Sequence, residues 1–281
     1  MPSEHTPPER LWHYTDGAGA KGIIQSRTLW AGHLGYMNDT SEVNHTMNES
    51  RLVATRLIDE LPEHAGALKR WINDLTDSPP KSWAPNIFAV SFSEQRDLLS
   101  QWRGYATGTG GAFCLGFPAK LLLDRADPGW VLRRCVYSRE EQQQMVETRI
   151  RWGLDRAQAA EVLPARKTRQ EVAYAQIFSA VMGIAPLCKH PDFAEEGEWR
   201  LYKGPVSIRA GTQVGFRDRR HTLSPYIEFE LSENRAPLDG LHWIAGPGPQ
   251  QERANSALGW LARSEGFTRY QGSPSHTPYL P

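Results

Sequence analysis

Residues Leu11–Gly32, LWHYTDGAGAKGIIQSRTLWAG, decide how the rest of the chain is read. Together with Arg10, the run "RLWHY" has the aromatic and branched composition of a pleated strand. Asp16 and Gly17 break it, "AKGIIQS" supplies about two helical turns, and "TLWAG" returns to an extended backbone. A histidine at a strand end beside a small-residue turn can touch a ligand, or it can be a half-buried polar group bonded to its neighbours. His13 and Thr15 stay open between those roles on these residues alone.

The pattern continues outward from there. Val43, Met47, Leu52, Leu57, Ile58 and Leu61 recur at helical spacing, and Pro62 opens a second helical stretch through "HAGALKRWINDL". "TDSPPKSWAPN" reads as a loop, "IFAVSFS" as a strand and "RDLLSQWRGYA" as a short helix. "AFCLGF" and "WVLRRCVY" are strands again. Ser138 followed by Glu141 has the form of a capping box and starts a long helix, and "TRQEVAYAQIFSAVMGI" gives another. "EWRLYK", "PVSIR", "YIEFEL" and "LHWIAG" read as strands, and "QQERANSALGWLARSEG" as a late helix ended by Gly266. Strands alternating with irregularly placed helices predict an α+β fold with a mainly antiparallel sheet, a single domain over 1–281, and a helical insertion at about 138–188.

Composition narrows the class. The chain has 281 residues, 40% of them hydrophobic and ten of them Trp, enough for a sizeable core. Lys plus Arg equals Asp plus Glu at 32 each, which argues against coating nucleic acid through a general basic field. A local patch using Arg103, Arg217, Arg219 and Arg220 stays open. Cys114, Cys135 and Cys188 have neither metal-ligand spacing nor a disulfide pattern, which suits a reducing, cytoplasmic setting. "MPSEHTPPER" lacks the apolar stretch of a secretory leader, and no run approaches the roughly 20 apolar residues of a membrane span. A soluble protein with no membrane partner is the expectation.

Several clusters carry possible chemistry. Glu195, Glu196 and Glu198 lie in "FAEEGEWRLYK"; on a strand Glu196 and Glu198 face one side. They are either a catalytic carboxylate pair or a solvated acidic turn paired with Lys189 or Arg200. Glu42 and His45 have the i, i+3 spacing of a helical metal site, but no second such helix is present, so Asn38 and Asp39 read as helix caps and no metal is expected. "ATGTGG" at 106–111 lacks the lysine and following helix of a phosphate loop and reads as a turn. "RDRRH" at Arg217–His221 is a basic cluster of the kind that is usually solvated.

Taken in order, "HYT", "LWAGHLGYMND", "VSFSEQRDLLSQWRGYATGTGGAFCLGF", "KHPDFAEEGEWRL" and "SPSHTPY" resemble the bacterial domain-of-unknown-function 2971 family over nearly the whole chain. That family in turn resembles the ADP-ribosyltransferases, on the side of the poly(ADP-ribose) polymerases and RNA 2′-phosphotransferases. "HYT" with "GIIQSRTLWA" is similar to their His-Gly-Ser/Thr strand and following helix and strand, departing from it at Tyr14, where glycine is usual. "IFAVSFSEQRDLLSQWRGY" is similar to their aromatic strand and short helix ending in tyrosine, and "GEWRLY" to their glutamate-opened strand.

The resemblance implies a split antiparallel sheet with a cleft that binds NAD as substrate. By it, His13 bonds the adenosine ribose with Thr15 alongside, and Tyr14, Ser91 and Ser93 belong to the same cofactor surface. Tyr105 or Trp102 stacks on nicotinamide, and Glu198 binds the nicotinamide ribose and stabilises its developing positive charge. Glu196 is a second catalytic candidate, by likeness to a branch whose first glutamate activates the acceptor. This arrangement needs His13, Tyr105 and Glu198 to line one cleft, with Glu198 on the face of the sheet that His13 occupies. The implied activity is mono-ADP-ribosyl transfer to a nucleic acid or protein, in a toxin or phage-defence effector with a possible antitoxin partner. The alternatives are an NAD glycohydrolase and a nucleotide-binding module without turnover.

Overall fold

The structure is a computed structural model that describes residues 5–37, 41–77, 86–105, 111–127, 129–160, 168–207, 213–219 and 222–278. The opening stretch folds as read. Strand β1 (Arg10–Asp16) ends where the Asp16 carboxylate accepts the Gly19 N–H and so caps helix α1 (Gly17–Ser26). Arg27 stops α1 in the left-handed conformation, and β2 (Thr28–His33) follows.

The remaining strands are β3 (Phe88–Ser93), β4 (Ala112–Pro118), β5 (Trp130–Arg134), β6 (Glu198–Lys203), β7 (Gly215–Arg219), β8 (Thr222–Glu230), β9 (Leu241–Ala245) and β10 (Tyr270–Pro274). They form one connected ten-stranded sheet in the order β10-β9-β4-β1-β3-β2-β8-β7, with β6 also paired to β3 and β5 to β6. All pairings are antiparallel except β9 with β10. The split sheet that the resemblance implies is one connected sheet here, because β3 joins both halves. One edge of β3 pairs with β6 along its whole length. The other edge meets β2 only at Phe88 and Ala89, and β1 only at Ser93. Between those contacts Val90–Phe92 have no strand partner on that edge among the described residues, which leaves a notch in the pairing of the sheet.

Side chains alternate across this sheet. Leu11, Val90, Phe92, Leu115, Trp199, Leu201 and Phe229 fill the main core with Ala20, Ile23 and Ile24 of α1 and Leu258 of helix α8 (Gln251–Ser264). The opposite face carries Trp12, Tyr14, Cys114 and Ile244 under Trp102 of helix α4 (Leu99–Tyr105). Farther along that face lies a helical layer: α2 (Ser41–Glu60), α3 (Ala65–Asp77), α6 (Arg139–Gln158) and α7 (Arg169–Met182), sharing a core around Trp71, Ile150 and Ile177.

The helical part is thus wider than 138–188, since α2 and α3 pack into the same layer. Ser138 caps α6 through the Glu141 N–H but makes only that half of a capping box; both halves occur at Thr168 and Glu171, which start α7. A further short helix, α5 (Ala119–Arg125), follows β4 directly. "PVSIR" is not a strand over Pro205–Ser207, where the chain turns away after Gly204, and the rest of it lies outside the described residues. The expected caps Asn38 and Asp39, the side chain of Glu42, residues 106–110 and Arg220–His221 are also outside them.

Candidate functional site

The notch in the sheet is built around His13. Its Nδ1–H donates to the Ser91 carbonyl at 2.9 Å, on the stretch of β3 that neither β1 nor β2 pairs with among the described residues. This leaves Nε2 as the acceptor of the ring. Burial lowers the imidazole pKa and nearby Arg217 lowers it further, against the opposing effect of the Ser91 bond, so the ring is neutral at pH 7. Arg217 comes from β7, and its guanidinium lies over Gly32, where a Cβ would stand 3.4 Å from it.

Glu198 opens β6 opposite Ser93, and Ser93 faces Trp12 of β1. The three strands that carry the His-strand, the serines and the glutamate are therefore contiguous. Their faces, however, differ. Trp12, Ser93 and Glu198 share one face, whereas His13 pairs with Leu115 on the main-core face and its ring stands 5.8 Å from that of Phe92. The expectation that His13 and Glu198 occupy one face is corrected by this register.

The Glu198 carboxylate is itself committed. Its side chain is 5% exposed, Lys189 Nζ bonds Oε2 at 2.5 Å, and Arg200 bonds Oε1 through Nε at 2.8 Å and Oε2 through Nη2 at 3.2 Å. Its backbone N–H donates to the Tyr137 hydroxyl at 2.8 Å. Burial alone would raise the carboxyl, but Arg200 and Lys189 outweigh it and hold the group at about 2. Lys189 also bonds Glu196, which ends a 3-10 turn at Pro191–Glu196 instead of lying on the strand. The pairing with Lys189 and Arg200 that the sequence left open is present, but it is buried, with two carboxylates and two cations balancing.

The other candidates divide between structural and accessible positions. The Tyr14 hydroxyl donates to the Gln95 carbonyl and accepts the Leu98 N–H, and its ring meets Trp102 edge-on with centroids 4.9 Å apart. Tyr14 thus anchors the loop before α4, and burial pushes its phenol pKa well up. Trp102 is fully buried and donates to Asp97, so it cannot stack on a ligand. Tyr105 can: it is 37% exposed, with its ring nearly parallel to that of Tyr14 at 6.2 Å. Thr15 faces the first turn of α1, where a Cβ on Gly19 would stand 2.0 Å from its hydroxyl. Ser93 donates to the Glu196 carbonyl and accepts from the Gln95 N–H, while Ser91 is half-buried on the same face.

Sequence reasoning missed Asp97 and Tyr137. Asp97 collects Trp102, Ser275, the His276 N–H and Thr277, which pins the "SHT" of the closing motif beside α4. The order of motifs along the chain was the available signal, since a terminal motif matched to an internal one implies contact. His45 donates or accepts at Gln142, and among the described residues no three His, Cys, Asp or Glu side chains form a cluster that could hold a metal ion. No helix among them is long and apolar enough to cross a membrane.

Residues 101–201 match the sequence model of a family described as a protein of unknown function, DUF2971. The matched stretch runs from α4 into β6 and so contains Tyr105, Tyr137, Lys189, Glu196, Glu198 and Arg200, but not His13. It supports the first resemblance noted in the sequence and brings no activity with it. No curated protein and no solved structure matches the chain.

Proposed function

We propose that this protein is an NAD-dependent mono-ADP-ribosyltransferase acting on a macromolecular acceptor, a nucleic acid or a protein. The observation that carries the reading is the opening of the sheet beside β3, with neutral His13 turned into it and Glu198 starting the strand on the other edge of β3. A dinucleotide lying in the notch meets an acceptor nitrogen from His13 on one side. On the other, Glu198 stabilises the cation that develops as nicotinamide leaves, once its carboxylate is released from Lys189. Tyr105 is the exposed ring within reach of that face. The register that puts His13 and Glu198 on opposite faces counts against this reading, which needs them on one face.

A second reading, a nucleotide-binding module without turnover, is favoured by the same Glu198. A carboxylate satisfied by Lys189 and Arg200 is unavailable to a ligand in this conformation. Incubation of the purified protein with labelled NAD and a cell lysate separates the two. Transfer puts label on macromolecules, and sensitivity to nuclease or protease identifies the acceptor. NAD recovered intact would overturn the transferase reading, and free ADP-ribose without labelled acceptor would replace it with hydrolysis.

A further inference from the structure

We propose that Lys189 is an autoinhibitory latch that closes the Pro191–Glu196 turn over Glu198. Lys189 Nζ is the group that joins the turn, through Glu196, to the strand, through Glu198. The turn covers the start of β6 yet packs little itself, since residues 190–195 are all exposed. Its two ends are fixed. At the start, the Lys189 N–H donates to the Val136 carbonyl and Gln142 Nε2 donates to the Lys189 carbonyl. At the end, Ser93 donates to the Glu196 carbonyl and the Glu94 N–H to the Gly197 carbonyl. Gly197, at φ 50, lets the chain reverse there. What can move between these ends is the turn and the long Lys189 side chain, whose ammonium also lies 5.1 Å from the Phe193 ring of the turn.

The chemistry of the latch follows from which oxygen it holds. Lys189 bonds Oε2 of Glu198, while the shorter of the two Arg200 bonds goes to Oε1. Withdrawal of the ammonium leaves Oε2 with the longer Arg200 bond of 3.2 Å, so that oxygen can accept a bond from an incoming hydroxyl while Arg200 keeps the group oriented through Oε1. With Lys189 in place, the carboxylate faces a full positive charge in a poorly solvated site, and a ligand gains little from it. The identity of the ligand rests on the transferase reading; the latch itself does not.

The test uses a water-soluble carbodiimide with an amine, which labels accessible carboxylates, and mass spectrometry to assign the label to Glu198. The parent protein is expected to leave Glu198 nearly unlabelled. Lys189→Met, which keeps length but removes the charge, raises its labelling tenfold or more. Lys189→Gln, which removes the ammonium but keeps a polar end, serves if Lys189→Met does not fold. Glu198 remaining protected in the folded variants overturns the latch. When the latch opens, NAD protecting Glu198 from the label supports the transferase reading as well. Labelling that NAD does not affect leaves the latch standing and counts against that reading alone.

Discussion

Replacing Glu198 by Gln preserves shape but leaves two buried cations facing a neutral amide, so the structure predicts a stability loss before any effect on chemistry. A carboxyl held at about 2 instead of its ordinary 4.5 is worth about 3 kcal/mol to the folded state at neutral pH. Breaking a buried ion pair from one side typically costs about 3–5 kcal/mol, and the low end applies because Lys189 keeps Glu196 and Arg200 keeps the Pro186 carbonyl. With an unfolding entropy of about 2.1 cal/mol/K per residue over 281 residues, 3 kcal/mol lowers Tm by about 5 °C. The sign with pH is fixed by the depressed pKa. The contribution is complete above the unfolded value near 4.5 and is lost as pH falls through the folded value near 2. Thermal melts of both proteins at pH 7 and at steps down to pH 3 should therefore converge as acid is added. A variant that melts within a degree of the parent at pH 7 would refute the energetic reading of the network.

Three further outcomes follow from contacts away from Glu198. Tyr14→Phe removes the bonds to the Gln95 carbonyl and the Leu98 N–H and should cost about 1–3 kcal/mol in a denaturant titration, with α4 exchanging its amides faster. Asp97, whose burial is outweighed by bonds from Ser275, His276, Trp102 and Thr277, has a carboxyl held below its ordinary 3.8. The clamp on residues 275–277 should accordingly hold at neutral pH and release as acid protonates Asp97, and Asp97→Ala should release it at all pH values, read by protease cleavage there. Gly215→Ala places a Cβ 2.4 Å from the Tyr226 ring, which must leave the Trp30 ring it stacks on at 4.2 Å; the expected cost is about 1 kcal/mol with an altered tryptophan emission.

What the sequence made legible were features whose causes are local. Asp16 ends β1 and caps α1 through a side chain three residues from its partner, and the apolar spacing of α6 and α7 lies within single segments. Strand β7, GFRDR, escaped because three of its five residues are charged and it pairs with β8 only, an edge position that tolerates such residues. Strand β10, YQGSP, carries Gly and Pro that argue against a strand, and it is held by parallel pairing to β9 alone. The site follows the same division. Glu198 was identifiable as the residue opening a strand, and Lys189 and Arg200 as its possible partners, because all three are near in sequence. That the group is buried was not, since burial is set by how separate segments of the chain pack together. Separation along the chain also hides Tyr137, which is 61 positions from the N–H it accepts, and Asp97, which is 178 positions from Ser275. Alternation predicts that side chains at even and odd positions part company, but only the single Trp12–Ser93 bridge decides which parity of β1 joins Glu198. One residue of register at that bridge therefore separates a site shared by His13 and Glu198 from the opposite faces that they occupy.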